Sequence, residues 1–131
     1  MDSSLKYAPS KNLGRHWPVA EPYILDALEH SPDGSNVFDV MSALDRGVGF
    51  LWTGKRAACV TLMQGTTYTL WLAGGDLDEI AAMWPSAEEH ARGLGAKKVV
   101  VFGRKGWART FLQPAGFTHK WSVMEKKLWA A

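Results

Sequence analysis

The stretch from Asp76 to Phe117, DLDEIAAMWPSAEEHARGLGAKKVVVFGRKGWARTFLQPAGF, constrains the fold more than any other part of the chain. Leu77, Ile80, Trp84, Ala87, Ala91 and Leu94 recur at helical spacing, which predicts an amphipathic helix stopped by Gly93 and Gly95. Lys97 to Phe102 (KKVVVF) follows as a strand, because consecutive valines and a phenylalanine suit a pleated surface covered on both faces. Gly103 breaks it, and Trp107 to Leu112 starts a short helix that ends at Pro114 and Gly116. The rest of the chain has to cover this unit.

Upstream lie three strands, Val48 to Thr53, Arg56 to Met63 and Thr66 to Leu72. Gly54-Lys55 and Gln64-Gly65 separate them, and such short glycine-containing links signal antiparallel hairpins. Two helices come first: Val19 to His30, and Val37 to Leu44, which Asp45-Arg46-Gly47 closes. The turn cluster SPDGSN divides them, and Pro18 and Pro22 fit near the start of the first, where a missing N–H does no harm. Thr118 to Leu128 supplies a closing strand. A strand–helix–strand step in the middle is a crossover between parallel strands, so the class is α/β with a mixed, mostly antiparallel twisted sheet. Residues 1–15 read as an N-terminal arm and residues 16–131 as one domain.

With 131 residues, 47% of them apolar and 21% charged, the chain has the composition of one folded domain, not of a disordered segment. A formal charge of +2 gives no ground for nucleic acid as partner. The single cysteine, Cys59, excludes an internal disulfide and a cysteine-cluster metal site, and fits a reducing compartment. No apolar run reaches the roughly 18–20 residues of a membrane span, and no signal-peptide pattern opens the chain; both point to a cytoplasmic location. Seven tryptophans spread over every predicted element read as core anchors, with Trp129 the candidate for a protein interface.

The order of elements resembles the GNAT (N-acetyltransferase-like) superfamily. AEEHARGLGAKKVVVFGR is similar to that family's central helix and fifth strand, and GWARTFLQPAGF to its late helix and Gly-Phe corner. Within the family, AGGDLDE and GRKGWAR are similar to segments of short GNAT-like proteins of tailed bacteriophages. The resemblance implies a GNAT-like topology. It also implies a cofactor, acetyl-CoA or another acyl-CoA, lying where the third meander strand and the Val99 strand splay. The family's pyrophosphate loop matches Leu72, Ala73, Gly74 and Gly75, followed by Asp76, Leu77, Asp78 and Glu79. Those glycines admit close approach of a ligand to the backbone. Asp76 and Glu79, however, form a capping-box-like pair that satisfies the helix's own N–H groups, and the carboxylates repel phosphate. Helix cap and phosphate cradle stand here as alternatives.

Arg104, Lys105 and Arg109 cluster around Trp107, and Arg104 with Trp107 is the second candidate contact for CoA phosphates. Leu112 occupies the position at which the family often carries a proton-donating tyrosine. Glu88, Glu89 and His90 read as a solvated helix face, His16, His30 and His119 lack metal-ligand spacing, and Cys59 reads as a buried apolar residue. Pro85 is expected to bend or split the central helix, with Ser86 and Glu89 capping its second half. Two functions follow. One is a non-catalytic binding or structural component, associated with a phage virion or its assembly in the host cytoplasm, with a protein or neighbouring subunits as partner. The other is an acyl-CoA-dependent N-acyltransferase with an atypical phosphate site.

Overall fold

A computed structural model describes residues 7–30, 34–102, 118–120 and 123–128. The chain opens with α1 (Leu13–Glu29) and α2 (Val37–Asp45), then runs through β1 (Gly49–Thr53), β2 (Ala57–Gln64) and β3 (Thr67–Gly75). Helix α3 (Leu77–Gly93) leads to β4 (Lys98–Phe102), and β5 (Thr118–Lys120) with β6 (Val123–Lys127) completes the order. The strands form one sheet in the order β1-β2-β3-β4-β6-β5. All neighbours are antiparallel except β3 and β4, which α3 connects in parallel. The mixed sheet expected from the sequence is therefore present, and residues 118–128 carry two short strands.

The first helix departs from expectation. It begins at Leu13, where Asn12 accepts a hydrogen bond from the Arg15 amide, so both prolines lie inside it and residues 13–15 belong to the helix. Gly14, Pro18 and Pro22 recur every fourth residue and all face solvent, so water can solvate the carbonyls that proline leaves without a donor. The opposite face buries Ala20, Ile24 and Ala27. Helix α2 has a complete capping box between Asn36 and Asp39 and ends at Gly47, whose φ of 74° suits glycine.

Two apolar layers flank the sheet. On one side α1 and α2 cover Leu51, Val60, Trp71 and Leu72; on the other α3 covers Trp52, Tyr68, Leu70, Val99 and Val101. Pro85 does not divide α3, which runs unbroken to Gly93. Ser86, expected to cap a second half, is buried and accepts a hydrogen bond from the Tyr7 amide instead.

Candidate functional site: the end of β3

Strand β3 carries the site. Its ladder with β4 starts at Thr67↔Lys98 and stops at Leu70↔Val101, after which Leu72 to Gly75 run on against β2 alone among the described strands. The register between β2 and β3 slips at the same point. Val60 pairs with Leu72 and Thr61 with Leu70, so Trp71 is the extra residue of a β-bulge. The bulge therefore lies where the described β3–β4 ladder ends.

The far end of β3 meets α3 through a single residue. Asp76 caps the helix: its Oδ2 accepts from the Glu79 amide at 3.0 Å and its own amide donates to the Arg56 carbonyl. Arg56 also pairs with the Asp76 carboxylate at 3.4 Å. The capping box is only half made. Glu79 turns away from Asp76, and its carboxylate accepts from the amides of Arg56 (2.6 Å) and Lys55 (3.1 Å) in the β1–β2 link. It also accepts from the Tyr7 hydroxyl. The first turn of α3 thus holds the neighbouring turn through carboxylates, and an anion arriving there meets negative charge.

Leu72, Ala73 and Gly74 lie buried within β3, and Gly75 at its end is exposed. The glycines serve packing. A Cβ on Gly74 would sit 2.2 Å from the Tyr23 carbonyl of α1, and one on Gly75 would sit 2.3 Å from the Arg56 carbonyl. Gly75 also has φ of 102°, a conformation that side chains disfavour. Arg104, Lys105, Trp107, Arg109 and Leu112, with their late helix, lie outside the described residues, as does Trp129. Lys97 and Lys98 flank the start of β4.

His90 does not sit on a solvated face. It is half-buried, with its ring edge-on to Phe50, Trp52 and Tyr68, and its Nδ1 lies 2.9 Å from the Tyr68 hydroxyl. Tyr68 also bonds Thr61 at 2.8 Å, and the Trp52 indole donates to the same Thr61 oxygen at 3.0 Å. Burial holds His90 below its ordinary pKa and raises that of Tyr68. Glu88 is also engaged. Burial alone pushes its pKa up, but bonds from Lys126 (2.8 Å), Arg92 (3.0 Å) and Trp84 outweigh it and hold the carboxyl below its usual value. Glu89 is exposed, as the sequence led us to expect. Cys59 is buried and its thiol pushed up to about 12, which keeps it protonated and unreactive at neutral pH. The partners of His90, and Lys126 against Glu88, stand on strands distant in sequence, whereas Trp84 and Arg92 lie one turn from Glu88 on α3 itself. No group of three or more metal-ligating side chains gathers among the described residues, and no described helix is long and apolar enough to cross a membrane.

Two solved structures share this architecture. A GNAT family acetyltransferase from Brucella melitensis, solved with acetyl-CoA, matches 96% of this chain and 90% of its own at a TM-score of 0.65 and 11% identity. An acetyltransferase from Bacillus subtilis, solved with CoA, matches 95% of this chain and 97% of its own at 0.57 and 13%. The fold is that of the GNAT acetyltransferases. No protein-family model matches the sequence, and no curated protein does. The sealed turn at Asp76–Glu79 does not fit a pyrophosphate.

Proposed function

We propose that the chain binds an acyl-CoA along the β3 edge at Leu72 to Gly75 and acts as an N-acyltransferase with an atypical phosphate site. The observation that carries this reading is the loss of β3–β4 pairing beyond Leu70, at the Trp71 bulge. Two structural neighbours solved with acetyl-CoA or CoA support it. CoA would bring the activated acyl group, and the β3 backbone would orient its amide-bearing arm. The pyrophosphate would lie away from the first turn of α3, and Arg104 with Trp107 remain the proposed contacts for it. Isothermal titration with acetyl-CoA tests the reading: saturable micromolar binding is expected, and no binding at millimolar concentration overturns it.

A second reading rests on a different surface. Phe38 on α2 is 79% exposed, Met41 is exposed beside it, and an apolar groove of about 280 Å³ runs between Leu13, Trp17 and Leu44. With the acidic turn of α3, this surface favours a non-catalytic binding or structural component that meets a protein partner or neighbouring subunits, as in a phage particle. Absence of CoA binding together with concentration-dependent self-association, or with partner capture lost in Phe38→Ser, would establish this reading in place of the first.

A further inference from the structure

A cavity of about 390 Å³ lies on the α2 side of the sheet, on the opposite face from α3. Helix α2 forms one wall through Asp39, Ser42 and Arg46, and the strands form the floor through Leu62, Thr69 and Trp71. Asp39 and Arg46 stand seven positions apart, close to two full helical turns, so both project from the same face of α2. Their Cα atoms are separated by about 10.5 Å along the axis. Arg46 Nε donates to the Ser42 carbonyl one turn back at 3.4 Å, which holds the side chain along the helix.

Each charge retains capacity for a ligand. Asp39 uses Oδ2 to accept from the Asn36 amide, and no ion pair joins Asp39 or Arg46 to another described residue. The floor includes Thr69, a residue only 6% exposed whose hydroxyl makes no hydrogen bond to another described residue. Water or a polar group of a ligand in the cavity can serve as its partner. Leu62 and Trp71 add an apolar surface beside it. The α2 wall thus carries a carboxylate and a guanidinium two turns apart, and the floor carries Leu62, Thr69 and Trp71.

We propose that this cavity binds a small zwitterion of dipeptide size, its ammonium against Asp39, its carboxylate against Arg46 and its backbone over Thr69. A single-charged ligand would leave one of the two helix charges without a partner, and a larger one exceeds the space, which lies at the lower end of small-molecule sites. The inference stands apart from acyl-CoA binding and is tested without it.

The probes are glycyl-L-leucine, N-acetylglycyl-L-leucine, which lacks the ammonium, and glycyl-L-leucinamide, which lacks the carboxylate. Binding is followed by chemical-shift titration of the whole chain. Glycyl-L-leucine is expected to bind saturably at millimolar concentration or below, and each capped probe at least about threefold more weakly, as for partly solvated ion pairs. Asp39→Asn, which keeps an oxygen to cap α2, should remove the penalty for N-acetylation alone. Arg46→Gln should remove the penalty for amidation alone, and Thr69→Val should weaken all three probes alike. Absence of saturable binding, equal binding of the three probes, or selectivity unchanged in the two charge variants would each overturn the proposal. Acetyl-CoA titration of the same samples reports on the other site independently.

Discussion

Tyr68 and Thr69 are neighbours on β3, and the alternation of a strand sends them to opposite faces of the sheet. Tyr68 enters a closed set of hydrogen bonds with Thr61 and His90 beneath α3. Thr69 faces the cavity beside α2. One face is packed until its polar groups satisfy one another, whereas the other keeps a hydroxyl and two opposite charges accessible. The lesson is a division of labour across a single strand: at these two positions the α3 face closes its polar groups on one another, and the α2 face leaves them open to a ligand.

That contrast can be broken in order of effect. Gly74→Val should cost the most, roughly 3 kcal/mol or more, because the new side chain would start inside the Tyr23 carbonyl and push α1 from the sheet. Urea unfolding should show it as a large fall in midpoint. Tyr68→Phe should cost about 1–2 kcal/mol by leaving Thr61 and His90 short of a partner, whereas Thr69→Val should cost less than about 0.5 kcal/mol in the same assay. Equal losses at the two positions would refute the contrast.

A smaller effect is expected with pH. The folded-state pKa of His90 is depressed by burial, so its neutral form favours folding. That contribution is present above the unfolded value near 6.5 and is lost as pH falls through the lower folded-state pKa. Thermal melts across this window should decline with acidity, and His90→Gln should flatten the decline. Arg92→Ala should be nearly silent, below about 0.5 kcal/mol, because Glu88 keeps Lys126 and Trp84. A loss above 1 kcal/mol in chemical denaturation would show that the Glu88 cluster depends on all its members.

The fold was legible because its signals are local. Apolar spacing along α3, the valine run of β4 and the glycine-marked hairpins each lie within a few residues, and Asp76 caps the helix that follows it directly. The start of α1 was hidden because Pro18 and Pro22 ordinarily mark helix beginnings, and only their exposure explains why they are tolerated inside. Glu79 was assigned to the local capping box, but its amide partners lie 23 and 24 positions away. His90 reads as polar on a helix wheel; the rings that enclose it come from two strands, β1 and β3. At the end of β3 the sequence offered glycines, and two approaching backbones explain why they are needed. The bulge at Trp71 follows from the register between β2 and β3, which no residue type announces.

The amide of Ser10 donates to the carbonyl of Leu51 at 2.7 Å on the outermost strand of the sheet. An open strand edge is a template on which another copy can pair, and here the chain's own beginning covers part of it. Among the described residues the segment is held by this bond, by the two from Tyr7 and by the Ser10 hydroxyl against the His16 ring, so it should exchange its amide protons before the core does. Trimming it, or attaching a bulky tag close to it, would uncover β1 while leaving the rest of the domain folded. Aggregation of such a preparation would then report a lost edge guard and not a misfolded core.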